Sequence, residues 1–172
     1  MQRRSITSSQ TVGPFPHESW RWSFEAASAS APDSQLIIRG TVYDGAGQPI
    51  DDAVLEAWTP ATAIAEGTRA VPAFRRVPTD ARGQFRFAPT ASAPRDAGEP
   101  ALYLTLFARG VVKHQFTAVF LEDDANVMHS SLLQQVPQAR RATLIARKTA
   151  PREYEWDIWL QTDRETVFFD YR

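Results

Sequence analysis

QLIIRGTVYDGAGQPIDDAVLEAWT, residues 35–59, is the stretch on which the fold turns. QLIIRGTVYD is rich in β-branched and aromatic residues, the composition of a strand. DGAGQPI then supplies Asp-Gly and Gly turn chemistry, and DAVLEAWT reads as its partner strand. The pattern continues downstream. PAFRRVPTD and QFRFAP form two short strands around the glycine turn at ARG, and PTASAPRDAGEP is a Pro/Gly-rich loop. ALYLTLFARG, residues 101–110, is apolar from Ala101 to Ala108 apart from Thr105, which is too short for a favoured helix and reads as a buried strand. HQFTAVFLE pairs with it beyond Gly110. EYEWDIWLQT alternates Trp156, Ile158 and Leu160 with polar neighbours except Trp159, and ETVFFDYR closes the chain as a last strand. VPQARRATLIAR, opened by Pro137, is the one short helix in this reading. About eight punctuated strands and one helix predict an all-β sandwich over residues 35–172.

Residues 1–34 differ from the rest. They are polar and Ser/Ala-rich, interrupted by TVGPFP and SWRWSFEAA, and read as an extended arm. Trp20, Trp22 and Phe24 need a surface to lie on, and exposed aromatics of this kind mark contact with a partner chain. The chain as a whole has 172 residues, enough for one domain with a sizeable core. Its formal charge of −1 gives no electrostatic case for nucleic acid or an anionic membrane. It contains no cysteine, which removes disulfides and thiolate chemistry and fits a reducing, cytoplasmic setting. The amino end has two arginines but no apolar h-region, so it does not read as a secretory signal. No run of about 20 apolar residues suggests a membrane span.

A search for catalytic constellations returns little. His17, His114 and His129 are far apart, with no His-x-His pair to put two imidazoles on one strand face. Tyr43, Tyr103, Tyr154 and Tyr171 could in principle give phenolates to a ferric ion, but packing explains those within strands. There is no phosphate loop, nucleophile elbow or zinc helix, and LEDDAN lacks the alternating ligands of a calcium loop. Two features remain. TVGPF, Thr11–Phe15, either brings backbone close to something through its Gly-Pro or is an ordinary turn in a tail. Arg109, by strand parity on the face of Tyr103, Thr105 and Phe107, is either a solvated strand end or a fixed cation facing a site.

At these residues a resemblance enters. GTVYDGAGQPIDDAVLEAW, residues 40–58, resembles the signature of the intradiol ring-cleaving dioxygenases. SQTVGPF (9–15), LFARG (106–110), RRATLIA (140–146) and ETVFFDYR (165–172) resemble the α chains of the protocatechuate 3,4-dioxygenase branch better than any catalytic chain. The resemblance implies an intradiol-dioxygenase-like β-sandwich with an extended arm, acting in a hetero-oligomer of α/β protomers. It implies that a homologous β subunit holds Fe(III) with two tyrosines and two histidines, and that this chain binds no metal. It implies that O2 cleaves 3,4-dihydroxybenzoate between its hydroxyls to give 3-carboxy-cis,cis-muconate, with the isolated α chain inactive. Residue by residue, it places Arg109 on the substrate carboxylate and Thr11, Gly13 and Pro14 along the pocket wall. Phe15 stands where a tyrosine is usual. Where the catalytic chain has its His-x-His, this sequence reads Ala101, Leu102 and Tyr103. Residues 59–98 match more weakly and are Ala/Pro-rich, which leaves open a subunit for a related aromatic diol. A stand-alone β-sandwich binding module is the reading from a different class.

Overall fold

Alternation along each strand sets what faces inward. A computed structural model of the chain describes residues 8–28, 36–60, 73–89 and 96–170. In β5 (Leu102–Phe107) the leucines 102, 104 and 106 are fully buried, while Tyr103, Thr105 and Phe107 are half-buried on the other face. β5 lies between β2 (Val54–Trp58) and β6 (Gln115–Leu121), and β3 (Phe74–Pro78) continues beyond β2, all antiparallel. A second layer runs β7 (Ile145–Ala150), β8 (Glu153–Glu155), β1 (Ile37–Tyr43) and β4 (Gln84–Phe87), with β9 (Ile158–Trp159) also beside β1. The layers join at one corner, where β6 meets β7 in parallel through Phe120↔Ile145 and Leu121↔Ala146.

One apolar core fills the space between the layers. Leu55, Leu102, Leu104 and Leu106 come from the first layer, and Ile38, Val42, Phe87 and Ile158 from the second. Each such side chain contributes about 1.5–3 kcal/mol by leaving water. A smaller cluster of Phe120, Leu133, Val136 and Leu144 seals the corner under short helical turns. The sandwich predicted from the sequence is the fold observed.

Several local expectations change. β1 and β2 are not a hairpin: β1 pairs with β4, β8 and β9, and β2 with β3 and β5. The turn after β1 is tight, since Asp44 Oδ1 accepts from the Ala46 and Gln48 N–H groups at 2.8 Å each. Pro49 then lacks a ladder donor, and the turn at Asp51–Asp52 carries the chain to the opposite layer. The arm is not extended throughout. Pro16–Ser19 (α1) and Arg21–Ser28 (α2) are helical, with Pro16 at the first helical position where its fixed φ is favourable. Ser23 and Phe24 are buried, and the Trp20 ring meets Phe107 edge-on at 5.6 Å, so part of the arm lies on this chain's own sheet. Trp22 remains 73% exposed. The helix expected in VPQARRATLIAR is a 3-10 turn, Gln138–Leu144, that runs directly into β7, and Ser131–Gln134 (α3) is a further short helix capped by Ser130. Among the described residues of the final strand, one bridge forms, Phe116↔Phe169, and Tyr171 lies outside those residues. None of the described helices is long and apolar enough to cross a membrane.

Candidate functional site

The register of β2 against β5 places Arg109. Val54 pairs with Phe107, so carrying the ladder two residues further sets Asp52 opposite Arg109. There Arg109 Nε lies 3.2 Å from Asp52 Oδ2. The two sides of the pair are unequal: the Asp52 side chain is 8% exposed and that of Arg109 66%. Asp52 Oδ2 makes no hydrogen bond among the described residues, so charge and proximity join the pair rather than an aligned N–H···O contact. The backbone under Asp52 is firmly held. Ala53 N–H donates to Thr79 Oγ1 at 3.0 Å, and Thr79 N–H donates back to the Ala53 carbonyl at 2.9 Å. On the arginine side, Val111 N–H closes a turn onto the Ala108 carbonyl at 3.2 Å. Gly110 takes φ +81° there, which side chains with a Cβ adopt only under strain.

Arg109 opens onto a cleft of about 510 Å³ whose walls include Asp44, Ile50, Val111, Lys113, Glu165 and Phe168. Lys113 is itself paired, with Nζ 2.6 Å from Asp170 Oδ1. Arg109 and Lys113 share the cleft walls with Asp44 and Glu165, so the charge around it is mixed. Thr11 and Pro14 are exposed, Gly13 is half-buried at φ +96° with open space where a Cβ would stand, and none of the three lines this cleft. What joins the arm to the arginine's strand is Trp20 on Phe107, two residues before Arg109. Phe15 is 53% exposed, which leaves the TVGPF segment facing outward.

Among the described residues, no three His, Asp or Glu side chains gather into a metal-binding group. Two tyrosines are engaged elsewhere: the Tyr103 hydroxyl donates to Glu99 Oε2 at 2.9 Å and the Tyr154 hydroxyl to Asp123 Oδ1 at 2.7 Å. Tyr43 stacks on Trp159 at 4.2 Å.

Sequence reading missed three things. Asp52 lies within the signature stretch, but its partner is fixed only by the β2–β5 register. Trp58, Tyr103, Thr105 and Phe116 line an aromatic groove on the outer face of the first layer, which the alternation in β5 already hinted at. Asp123, Lys148 and Tyr154 form a polar cluster at the end of β6; hydrogen bonds from Lys148 and then Tyr154 hold the Asp123 carboxyl below the usual carboxylate range. The N–H groups of Gln84 and Arg82 do the same at Asp80, in the turn before β4.

The sandwich is a fold shared with solved intradiol dioxygenase structures. It matches the dioxygenase domain of a dioxygenase–carbohydrate-binding protein fusion from Streptomyces sp. SirexAA-E with a TM-score of 0.58 at 18% identity, covering 95% of this chain and 100% of that one. Catechol 1,2-dioxygenase from Pseudomonas arvilla C-1 matches with a TM-score of 0.52 at 18% identity, over 78% of this chain and 54% of that one. No protein-family model matches the chain. In sequence it is 32% identical over 191 positions to the protocatechuate 3,4-dioxygenase alpha chain of Burkholderia cepacia, covering 95% of this chain and 96% of that one. It is 31% identical over 218 positions to the alpha chain of Pseudomonas putida, covering 96% of each. The chain therefore belongs to the family of protocatechuate 3,4-dioxygenase alpha chains, and it is a subunit of an intradiol dioxygenase.

Proposed function

We propose that this chain completes the substrate pocket of an iron(III)-bearing β chain that cleaves 3,4-dihydroxybenzoate with O2 to 3-carboxy-cis,cis-muconate. In this reading the metal and the oxygen chemistry belong to the partner, and this chain binds and orients. The observation that carries the reading is Arg109: a permanent cation at the end of a rigid core strand, beside a buried acid and with most of its side chain exposed. A benzoate carboxylate meets a guanidinium in two parallel charge-assisted hydrogen bonds, which fixes the ring plane as well as its position. Orientation of this kind lowers the entropic part of the barrier. Thr11, Gly13 and Pro14 belong to the same pocket once a partner closes over the arm; Thr11 and Pro14 are exposed and Gly13 is half-buried, which leaves them available for it. The absence of cysteine agrees with work in the cytosol.

The test is purification of the chain from its native host. A second chain carrying ferric iron should come with it, and the complex should cleave 3,4-dihydroxybenzoate. A chain that emerges alone and colourless would instead make it a free-standing binding module.

A further inference from the structure

We infer that Asp52 is a positioning residue for Arg109: its buried carboxylate tethers the guanidinium by charge at the end of β5 and so keeps it placed for the substrate carboxylate. The inference rests on the function proposed above and adds to it the residue that aims the anchor. Asp52 Oδ2 lies 3.2 Å from Arg109 Nε without an aligned N–H···O contact, so the carboxylate holds the guanidinium by charge and proximity rather than by occupying its donors. Asp52 is buried while the Arg109 side chain is 66% exposed, so a fixed anion tethers a cation that opens outward. The acid is well fixed for the task. It stands opposite Arg109 by strand register, next to Ala53, whose backbone exchanges two hydrogen bonds with Thr79.

A structural salt bridge would look different. Buried acids normally collect aligned donors, and Asp52 Oδ2 has none among the described residues. The pair also buries its anion and leaves its cation in the open. What the arrangement does achieve is to remove rotamer freedom from a long side chain before the substrate arrives.

The experiment uses the assembled enzyme, this chain co-expressed with the iron-bearing subunit that purifies with it. Asp52→Asn should raise the KM for 3,4-dihydroxybenzoate about tenfold, the scale of one side chain left to be immobilised on binding. Its kcat should change less than about twofold, and the KM for catechol, which lacks the carboxylate, should change by less than that tenfold step. Anaerobic calorimetry of 3,4-dihydroxybenzoate binding should show the same loss in Kd. Arg109→Ala should raise the KM for the acid further, and adding Asp52→Asn to it should cost nothing more, because an aimer without its arginine has nothing to aim. An unchanged or lowered KM in Asp52→Asn would overturn the inference and make Asp52 a simple counter-charge. If Arg109→Ala also leaves the acid's KM unchanged, the function itself has been misread. Should Asp52→Asn fail to assemble, Asp52→Glu decides. It keeps the charge but moves it by one methylene, so the KM for the acid should rise while that for catechol holds, and a wild-type KM for the acid would refute the positioning role.

Discussion

At the end of β5, Arg109 lies beside Asp52; at the end of β6, Lys148 and Tyr154 lie beside Asp123. Both clusters join an acid to a cation where a core strand runs out, yet they are built oppositely. Asp123 accepts the Tyr154 hydroxyl at 2.7 Å and the Lys148 ammonium at 2.6 Å, while the neighbouring Glu122 accepts the Lys148 backbone N–H at 2.9 Å. Those contacts tie β6, β7 and β8 to one another. The Arg109 cluster ties β2 to β5 by proximity alone and leaves most of a guanidinium facing outward. A polar cluster whose donors are turned on itself stabilises a corner; one with donors left over is available to a ligand.

The sharpest way to break this contrast is Arg109→Ala. If the exposed guanidinium binds a carboxylate in the assembled enzyme, 3,4-dihydroxybenzoate should bind more weakly by about 2–5 kcal/mol, the range for a truncated charge pair. Catechol binding, measured in parallel, should barely respond. Equal losses for both diols would show that the substitution damages the turn at Ala108–Val111 rather than a specific contact. A corresponding change in the other cluster, with Lys148 replaced, has no reason to affect either diol.

How much of this was readable in advance depends on which forces act locally. The body of β5 was legible because Leu102, Leu104 and Leu106 alternate with period two, and Arg109 was legible as an oddity at its end. Asp52 was not, since the partner of a strand-end residue follows from pairing between distant segments rather than from either segment's pattern. The failed β1–β2 hairpin has the same origin: Asp-Gly chemistry correctly marked the turn, but the residues after it, not the turn, chose the layer. In the arm the signal was present and overlooked. Trp20, Ser23 and Phe24 have helical spacing and form the face turned to this chain, while the exposed Trp22 between them obscures the stripe. The 3-10 geometry of Gln138–Leu144 is a shorter-range matter, set by the room available before β7 begins.

That arm offers the next test. Trp20 packs edge-on against Phe107 at 5.6 Å and carries the Arg76 guanidinium 5.0 Å above its ring, while Arg76 also pairs with Glu56. Trp20→Ala should loosen the arm by about 1–2 kcal/mol through the lost ring pair and cation contact. Limited proteolysis should then cut within residues 16–28 of the variant sooner than in the parent. If the cutting rate is unchanged, the arm is held by something other than the strand that ends in Arg109. Smaller again is Tyr154→Phe, which removes one hydroxyl from the Asp123 cluster. It should cost about 1 kcal/mol in denaturant unfolding and leave diol binding alone, as expected of a hydrogen bond that serves only the fold.

The smallest effect is also the one that separates the two clusters by pH. Hydrogen bonds from Lys148 and Tyr154 favour the ionised form of Asp123, so its folded pKa lies below that of the unfolded chain. An acid shifted in this direction adds stability above its unfolded pKa, about 4, and loses that contribution as pH falls through the lower folded value. The side chains of Asp123 and Lys148 are 40% and 43% exposed, so solvent screening keeps the contribution below about 1 kcal/mol. Unfolding of the parent and of Asp123→Asn should therefore differ most at pH 6 and converge toward pH 3, with added salt narrowing the gap. A difference that persists undiminished at pH 3 would mean that Asp123 acts through shape rather than charge, and the cluster at the end of β6 would no longer be an electrostatic counterpart to the one at the end of β5.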